Sequence, residues 1–241
     1  MYKNYMFDLY GTLADIHTDE GDISLWEKTA EYYTSLGAAY TAEELQKTYC
    51  DFVDDEKNVI HNAHPEYKYI DIKIEKVFKR LYTVKGVTPT DEEVLNTALF
   101  FRRTSREYIR LYSGIADLLD DLRANGGKVY LLTNAQRSFT WDELEILGIV
   151  NKFDGIVISS DEECCKPDTC FYRALLDRYK LDPKDTIMVG NDPTADIKGA
   201  KGAGLSTLYI HTNISPEIDM NANATYFIPD GDTLKMREYL L

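Results

Sequence analysis

The sequence predicts an α/β protein, a doubly wound parallel sheet carrying an inserted helical cap, and three features predict it. A short apolar strand, residues 5–9, opens the chain and is punctuated by Gly11. About 90 residues of helical periodicity follow, with no convincing strand among them. From about residue 112 onward, strands and helices alternate to the C-terminus, the pattern of βαβ units with helices on both faces of the sheet. The expected division is a core of residues 1–14 plus 108–241 and a cap of residues 15–107.

In the cap, apolar side chains fall at helical spacing in three runs. The first holds Leu25, Ala30, Tyr33 and Leu36. The second holds Ile70, Ile74, Val77, Phe78 and Leu81, and the third Val94, Leu95, Ala98 and Phe101. Thr41 and Thr90 read as helix N-caps, each followed by acids in the first turn. In the core the expected helices are 115–125, 140–147, 168–179, 195–203 and 232–241. The expected strands are 128–132, 155–159, 186–189, 206–210 and 224–228. An insertion straight after the first strand lies above the carboxyl edge of the sheet. Open α/β sheets bind ligands at that edge, so the insert is placed to act as a lid.

Charge narrows the function. The 241 residues carry 27 basic and 41 acidic groups, a formal charge of −14. A nucleic-acid partner needs a basic face to displace counterions, so no nucleic acid is expected. An anionic substrate needs a local patch of lysine, helix N-termini or metal. No stretch approaches the roughly 20 apolar residues of a membrane span, and no apolar leader follows Lys3. The expectation is therefore no membrane, a cytoplasmic location, and a monomer or homodimer. Cys50, Cys164, Cys165 and Cys170 fit no zinc spacing, and reduced thiols are expected.

The residues with chemistry stand at strand ends. The first strand ends in Asp8-Leu9-Tyr10-Gly11-Thr12-Leu13 and the second in Leu132-Thr133-Asn134. A third is followed by Lys166-Pro167. A fourth ends in Gly190-Asn191-Asp192, with Asp196 one turn on. A carboxylate can attack phosphorus or carbon and split one hard step into two. A hydroxyl and an ammonium can hold the charged oxygens of a transferred group. Acidic oxygens can hold Mg²⁺, which neutralises phosphate charge. Without such a cation, Asp8 and Asp192 would repel each other and a phosphate.

These motifs resemble the haloacid dehalogenase (HAD) superfamily, in its members with a helical cap inserted after the first motif. FDLYGTL is similar to motif I, LLTN to motif II, Lys166-Pro167 to motif III and VGNDPTADIKGA to motif IV. They come in the family's order, and core plus cap covers essentially the whole chain. The resemblance implies a Rossmann-like core and a hydrolase acting on a small phosphorylated metabolite. It implies Asp8 as nucleophile, Thr133 holding the transferred group with help from Asn134, and Lys166 stabilising Asp8 and the developing charge. Tyr10, Gly11 and Thr12 are implied as substrate contacts. Mg²⁺ is implied as cofactor, held by Asp8, the Tyr10 backbone carbonyl and Asp192. Asn191, which stands where many relatives carry an acid, and Asp196 support that site.

Tyr10 departs from the phosphatase pattern, in which an aspartate two residues after the nucleophile acts as general acid and base. A tyrosine, with an ordinary pKa near ~10, is a poor base at neutral pH. Dehalogenases of this family carry an aromatic residue there and work without metal, so Tyr10 points to a metal-independent 2-haloacid dehalogenase. Asp192 points the other way, as does the lack of an arginine between Ala14 and Glu31 to grip a haloacid carboxylate. The reading favoured is a Mg²⁺-dependent phosphatase, suited to acyl or aryl leaving groups that need little protonation. The dehalogenase and a non-catalytic binding protein on the same fold are the alternatives. The basic group Arg102, Arg103, Arg106 and Arg110 is as consistent with anion binding as with ion pairs to the chain's many acids.

Overall fold

The computed structural model describes residues 2–241, in the order β1 (Asn4–Phe7), β2 (Ala14–Thr18), α1 (Ile23–Ser35), α2 (Ala42–Ala63), α3 (Ile74–Thr83), α4 (Asp91–Ser105), β3 (Arg106–Leu111), α5 (Ile115–Ala124), β4 (Lys128–Thr133), α6 (Arg137–Ile146), β5 (Gly155–Ile158), α7 (Ser159–Glu162), α8 (Thr169–Tyr179), β6 (Thr186–Gly190), α9 (Gly199–Gly202), β7 (Ser206–Ile210), β8 (Tyr226–Ile228) and α10 (Met236–Leu240). Six strands form one parallel sheet in the order β5-β4-β1-β6-β7-β8. From β1 the chain builds outward through β4 to β5, then crosses back to β6 and builds the other way. The reversal leaves a crevice between the carboxyl ends of β1 and β6, the place where such sheets take ligands. This is the α/β architecture that the alternation of strands and helices predicts.

Side-chain alternation explains why the sheet is covered on both faces. Tyr5 and Phe7 of β1, Val129 and Leu131 of β4, and Ile187 and Val189 of β6 enter one core with Leu118, Leu122 and Met236. Met6, Tyr130, Leu132 and Met188 point to the other side and pack on Phe171, Tyr172 and Leu175 of α8. Each strand thus buries both of its faces and reads as a continuous apolar run. Burying each such large side chain contributes about 1.5–3 kcal/mol.

Helices α1–α4 enclose a separate apolar cluster that includes Trp26, Tyr33, Phe78, Tyr82 and Phe101. Asp22, Thr41 and Thr90 cap α1, α2 and α4 through their side chains, and Thr90 forms a reciprocal capping box with Glu93. Among the described residues no helix is long and apolar enough to cross a membrane.

Three expectations need correction. The insert is not free of strands: β2 and β3 form an antiparallel ribbon at its root, across both of the divisions read at residues 14 and 107. Its alternation is short and carries charge, with Asp15 buried only because Arg110, Asn213 and Tyr108 bond it. The helix expected over 195–203 begins as a π-helical turn, Pro193–Lys198, capped by Asp192, before α9. Cys164 and Cys170 are paired rather than free, while Cys50 and Cys165 stay unpaired. The turn through Lys166-Pro167 folds residue 170 back beside residue 164, a proximity that sequence spacing alone does not reveal.

Candidate active site

Parallel register sets the site. Phe7 pairs with Leu131 on one side and Val189 on the other, so Asp8 emerges level with Leu132 and Gly190. The Asp8 backbone N–H still donates to Val189 O at 3.0 Å, which fixes the direction of its side chain at the sheet edge. Two glycines let neighbouring loops close on it. Gly11 has φ +83°, and a Cβ there would collide with the Asn191 amide; a Cβ on Gly190 would collide with the Asp196 carboxylate. Asn191 and Asp196 can therefore sit flush against the backbone.

Lys166, Asp8 and Asp196 form a buried triad. The Lys166 ammonium donates to Asp8 Oδ1 and to Asp196 Oδ1, each at 2.7 Å. Burial alone would lower the lysine pKa, but the Asp196 and Asp8 carboxylates more than offset it and hold the ammonium charged. The Asp196 carboxyl is raised, by burial first and by nearby Asp8, against the pull of Lys166. Asp8 Oδ2 lies 3.1 Å from Thr12 Oγ1, which is itself 3.3 Å from Asn191 Oδ1. Thr12 thus joins the β1 and β6 loops.

Asn134 and Thr133 have different situations. The Asn134 amide spends both ends on Lys166, accepting from its backbone N–H at 2.8 Å and donating to its carbonyl at 2.9 Å. It holds the Lys166 turn. Thr133, at the end of β4, is fully buried and its hydroxyl has no hydrogen-bond partner. A buried hydroxyl without a partner carries a penalty of about 1–3 kcal/mol, which a ligand oxygen would relieve.

Among the described residues no three His, Cys, Asp or Glu side chains converge on a closed metal cage. The oxygens present nevertheless suit Mg²⁺, which takes few protein ligands and keeps several waters. Asp192 accepts from the backbone N–H groups of Thr194 and Ala195 through Oδ1 alone, both at 2.7 Å, leaving Oδ2 open. The Tyr10 carbonyl stands two residues beyond Asp8. Asp196 is committed to Lys166 and to the Asp192 N–H, and the Asn191 amide donates to Ser215 Oγ at 3.2 Å.

The Tyr10 hydroxyl points to Glu143 of α6, to which it donates, and lies 3.2 Å from Thr140 Oγ1. Burial, then the Glu143 charge, raises its pKa well above the ordinary range. Glu143 is fully buried and also receives Arg102 Nε at 2.7 Å and Arg106 at 3.1 Å. Arg103 pairs with Asp142 and Arg110 with Asp15. All four arginines of the basic group are therefore in ion pairs, and three of them, Arg102, Arg103 and Arg106, tie α4 and the start of β3 to α6. Removing one partner from such a buried cluster costs about 3–5 kcal/mol. Glu143→Ala should lower the stability measured by urea unfolding by that amount; a loss under about 1 kcal/mol would count against the cluster's role.

Three residues of this region escaped the sequence reading: Glu143, Thr212 and Ser215. Thr212 Oγ1 donates to Gly11 O at 2.6 Å and Ser215 bonds Asn191, so the loop after β7 braces the site. None belongs to a motif, and the apolar face of α6 is too weak for the sequence to mark Glu143 as buried.

Comparison with known proteins now bears on this geometry. The model of the haloacid dehalogenase-like hydrolases matches residues 2–204. The chain belongs to that family. Glyceraldehyde 3-phosphate phosphatase of Methanothermobacter thermautotrophicus is 29% identical over 219 residues, covering 89% of this chain and 88% of its own. Pyrimidine 5'-nucleotidase PynA of Streptococcus pneumoniae is 26% identical and 91% of each is covered. Phosphoserine phosphatase of Thermus thermophilus is 29% identical over 143 residues, 59% of this chain; the match spans only 56% of that relative's length. Among solved structures, 2-haloacid dehalogenase from Pseudomonas syringae superposes with TM-score 0.67 at 20% identity, over 100% of this chain and 98% of its own. A HAD phosphatase from Thermococcus onnurineus gives 0.58 at 18%, over 99% and 97%. These structures share the fold of the hydrolase.

Proposed function

We propose that the hydrolase is a Mg²⁺-dependent phosphatase of small phosphorylated metabolites, working through an aspartyl-phosphate on Asp8 beneath a cap of residues 15–107. The observation that carries this reading is the partnerless Thr133 hydroxyl at the strand end beside the Asp8–Lys166–Asp196 triad: a hydroxyl and a fixed ammonium waiting for anionic oxygens around a nucleophile. The phosphatase names of the relatives that match most of the chain agree with it.

Asp8 attacks phosphorus, the bond to the leaving oxygen breaks, and its electron pair leaves with that oxygen, which takes a proton from solvent. Water then attacks the aspartyl-phosphate and frees Asp8 and phosphate. Lys166 holds Asp8 in line and faces the charge that develops; Thr133 hydrogen-bonds a phosphoryl oxygen. Asp8, Asp192 and the Tyr10 carbonyl would hold Mg²⁺, which would supply the neutralising charge when bound. One lysine between two carboxylates leaves the triad net negative, so a phosphate needs that extra cation.

Tyr10 alone favours a dehalogenase. That reaction needs a free cation for the haloacid carboxylate, and Arg102, the arginine beside Tyr10, is already bound to Glu143. The decisive experiment is a paired assay of acetyl phosphate and 2-chloropropionate. Phosphate release should vanish with EDTA and return with excess Mg²⁺. Halide release indifferent to EDTA would overturn the assignment.

A further inference from the structure

A cavity of about 510 Å³ lies between the insert and the carboxyl edge of the sheet. It opens onto Tyr10, two residues past Asp8, and onto Asn134, next to Thr133, so it adjoins the reacting centre. Its size is that of a small-molecule site. Tyr49, Val53 and Lys57 of α2 line it from above at i, i+4 and i+8, hence from one helix face. Phe139 of α6 and Ile72 close it from the other sides.

Several polar groups on the walls of this cavity are already engaged, while the Glu20 carboxylate, 3.7 Å from an Arg102 nitrogen, makes no hydrogen bond among the described residues. Gln136 accepts from the Ile74 N–H at 2.9 Å and donates to Asp71 at 3.0 Å. Asp71 also bonds Ser159 at 2.5 Å and the Ile72 N–H at 2.8 Å. Arg102 is held by Glu143 and Tyr10 by Glu143 and Thr140. A sugar or polyol buried here would find few partners besides Glu20 and the Tyr49 hydroxyl for its several hydroxyls, and unpaired hydroxyls weaken binding. The apolar surface of Tyr49, Val53, Ile72 and Phe139 is free as well, and it suits the face and edge of a flat ring. Lys57 stands exposed at the rim.

We propose that this cavity seats the leaving group of the substrate and that this group is a planar aromatic ring, which makes aryl phosphates the substrate class. The proposal rests on the phosphatase reading above. The chemistry agrees with the shape. Tyr10 occupies the usual place of the general acid and its proton is committed to Glu143, so a leaving oxygen must depart unassisted. When Asp8 forms its bond to phosphorus, the electron pair of the breaking P–O bond stays on the aryl oxygen as a phenolate. That anion belongs to an acid titrating near ~10 and waits for a solvent proton.

Phosphonates separate ring binding from leaving-group chemistry, because their P–C bond does not break. Calorimetric titration of the full chain with Mg²⁺ should show phenylphosphonate binding at least about 10-fold more tightly than methylphosphonate. Val53→Trp, which fills the cavity, should bring the two to within about twofold, and Tyr49→Leu should narrow the gap while keeping the helix apolar there. Equal affinities in the parent protein, failure of phenylphosphonate to bind, or a gap that survives both variants overturns the proposal. Acetyl phosphate has no ring, so its turnover reports the phosphatase reading alone. Turnover without a ring preference leaves that reading standing and removes this one.

Discussion

Asp8→Asn is expected to lower kcat by about 10⁴-fold or more, the scale seen when a covalent nucleophile is removed. The amide keeps the shape of the carboxylate and one acceptor oxygen, so it can still receive the Lys166 ammonium or Thr12, each within 3.1 Å of the native side chain. It cannot form an acyl phosphate. The loss should therefore appear in kcat on acetyl phosphate while the circular dichroism spectrum stays that of the parent. A second readout avoids turnover altogether. Beryllium fluoride with Mg²⁺ imitates a phosphoryl group on a carboxylate, and should raise the melting temperature of the parent but not of Asp8→Asn. Residual activity within about tenfold of the parent would remove Asp8 from the role of nucleophile.

The parts of the site that were legible in the sequence are those whose position follows from strand ends. Asp8, Thr133, Asn191 and Asp192 each end a strand or stand just past one, and a parallel sheet brings all such ends to one edge. Asp196 follows because it lies one turn past Asp192. Lys166 was legible only through its motif: it stands eight residues past β5, and the Asn134 clamp that brings it to Asp8 depends on β4 and β5 being neighbours.

What stayed hidden depends on contacts between elements far apart in the chain. Whether Glu143 faces solvent or Tyr10 is decided by how α6 packs on α4 and the loop after β1, and α6 itself has only a weak apolar stripe, with Glu143 buried beside Ser138 and Thr140. The pairing of β2 with β3 joins segments separated by the whole of α1–α4 and sets Asp15 against Arg110, residues that alone read as surface charge. The fate of the arginines was undecided for the same reason: an acid-rich chain offers many partners, and only geometry selects Glu143, Asp142 and Asp15.

Lys166→Met carries the other large expected effect, and here stability and rate should separate. The substitution leaves Asp8 and Asp196 facing an apolar side chain, with Asp196 almost wholly buried. Breaking a buried ion pair by removing one partner costs about 3–5 kcal/mol, because the remaining charge has no compensation. Asp196, whose pKa burial already raises, should then hold its proton more readily without the lysine. The rate on acetyl phosphate should fall by about 10²–10³-fold, the effect of deleting one donor that faces developing charge. Adding Asp196→Asn to Lys166→Met removes the uncompensated charge. Urea unfolding of the double variant should recover most of the lost stability, since a neutral amide beside a thioether is a far smaller burden than a lone carboxylate. Its rate should not recover, because nothing replaces the ammonium beside Asp8. A double variant that regained the rate would show that Lys166 serves only to neutralise Asp196. A single variant as stable as the parent would mean that the triad carries no buried charge at all, and the electrostatic case for a metal-assisted phosphoryl transfer at this edge would lose its foundation.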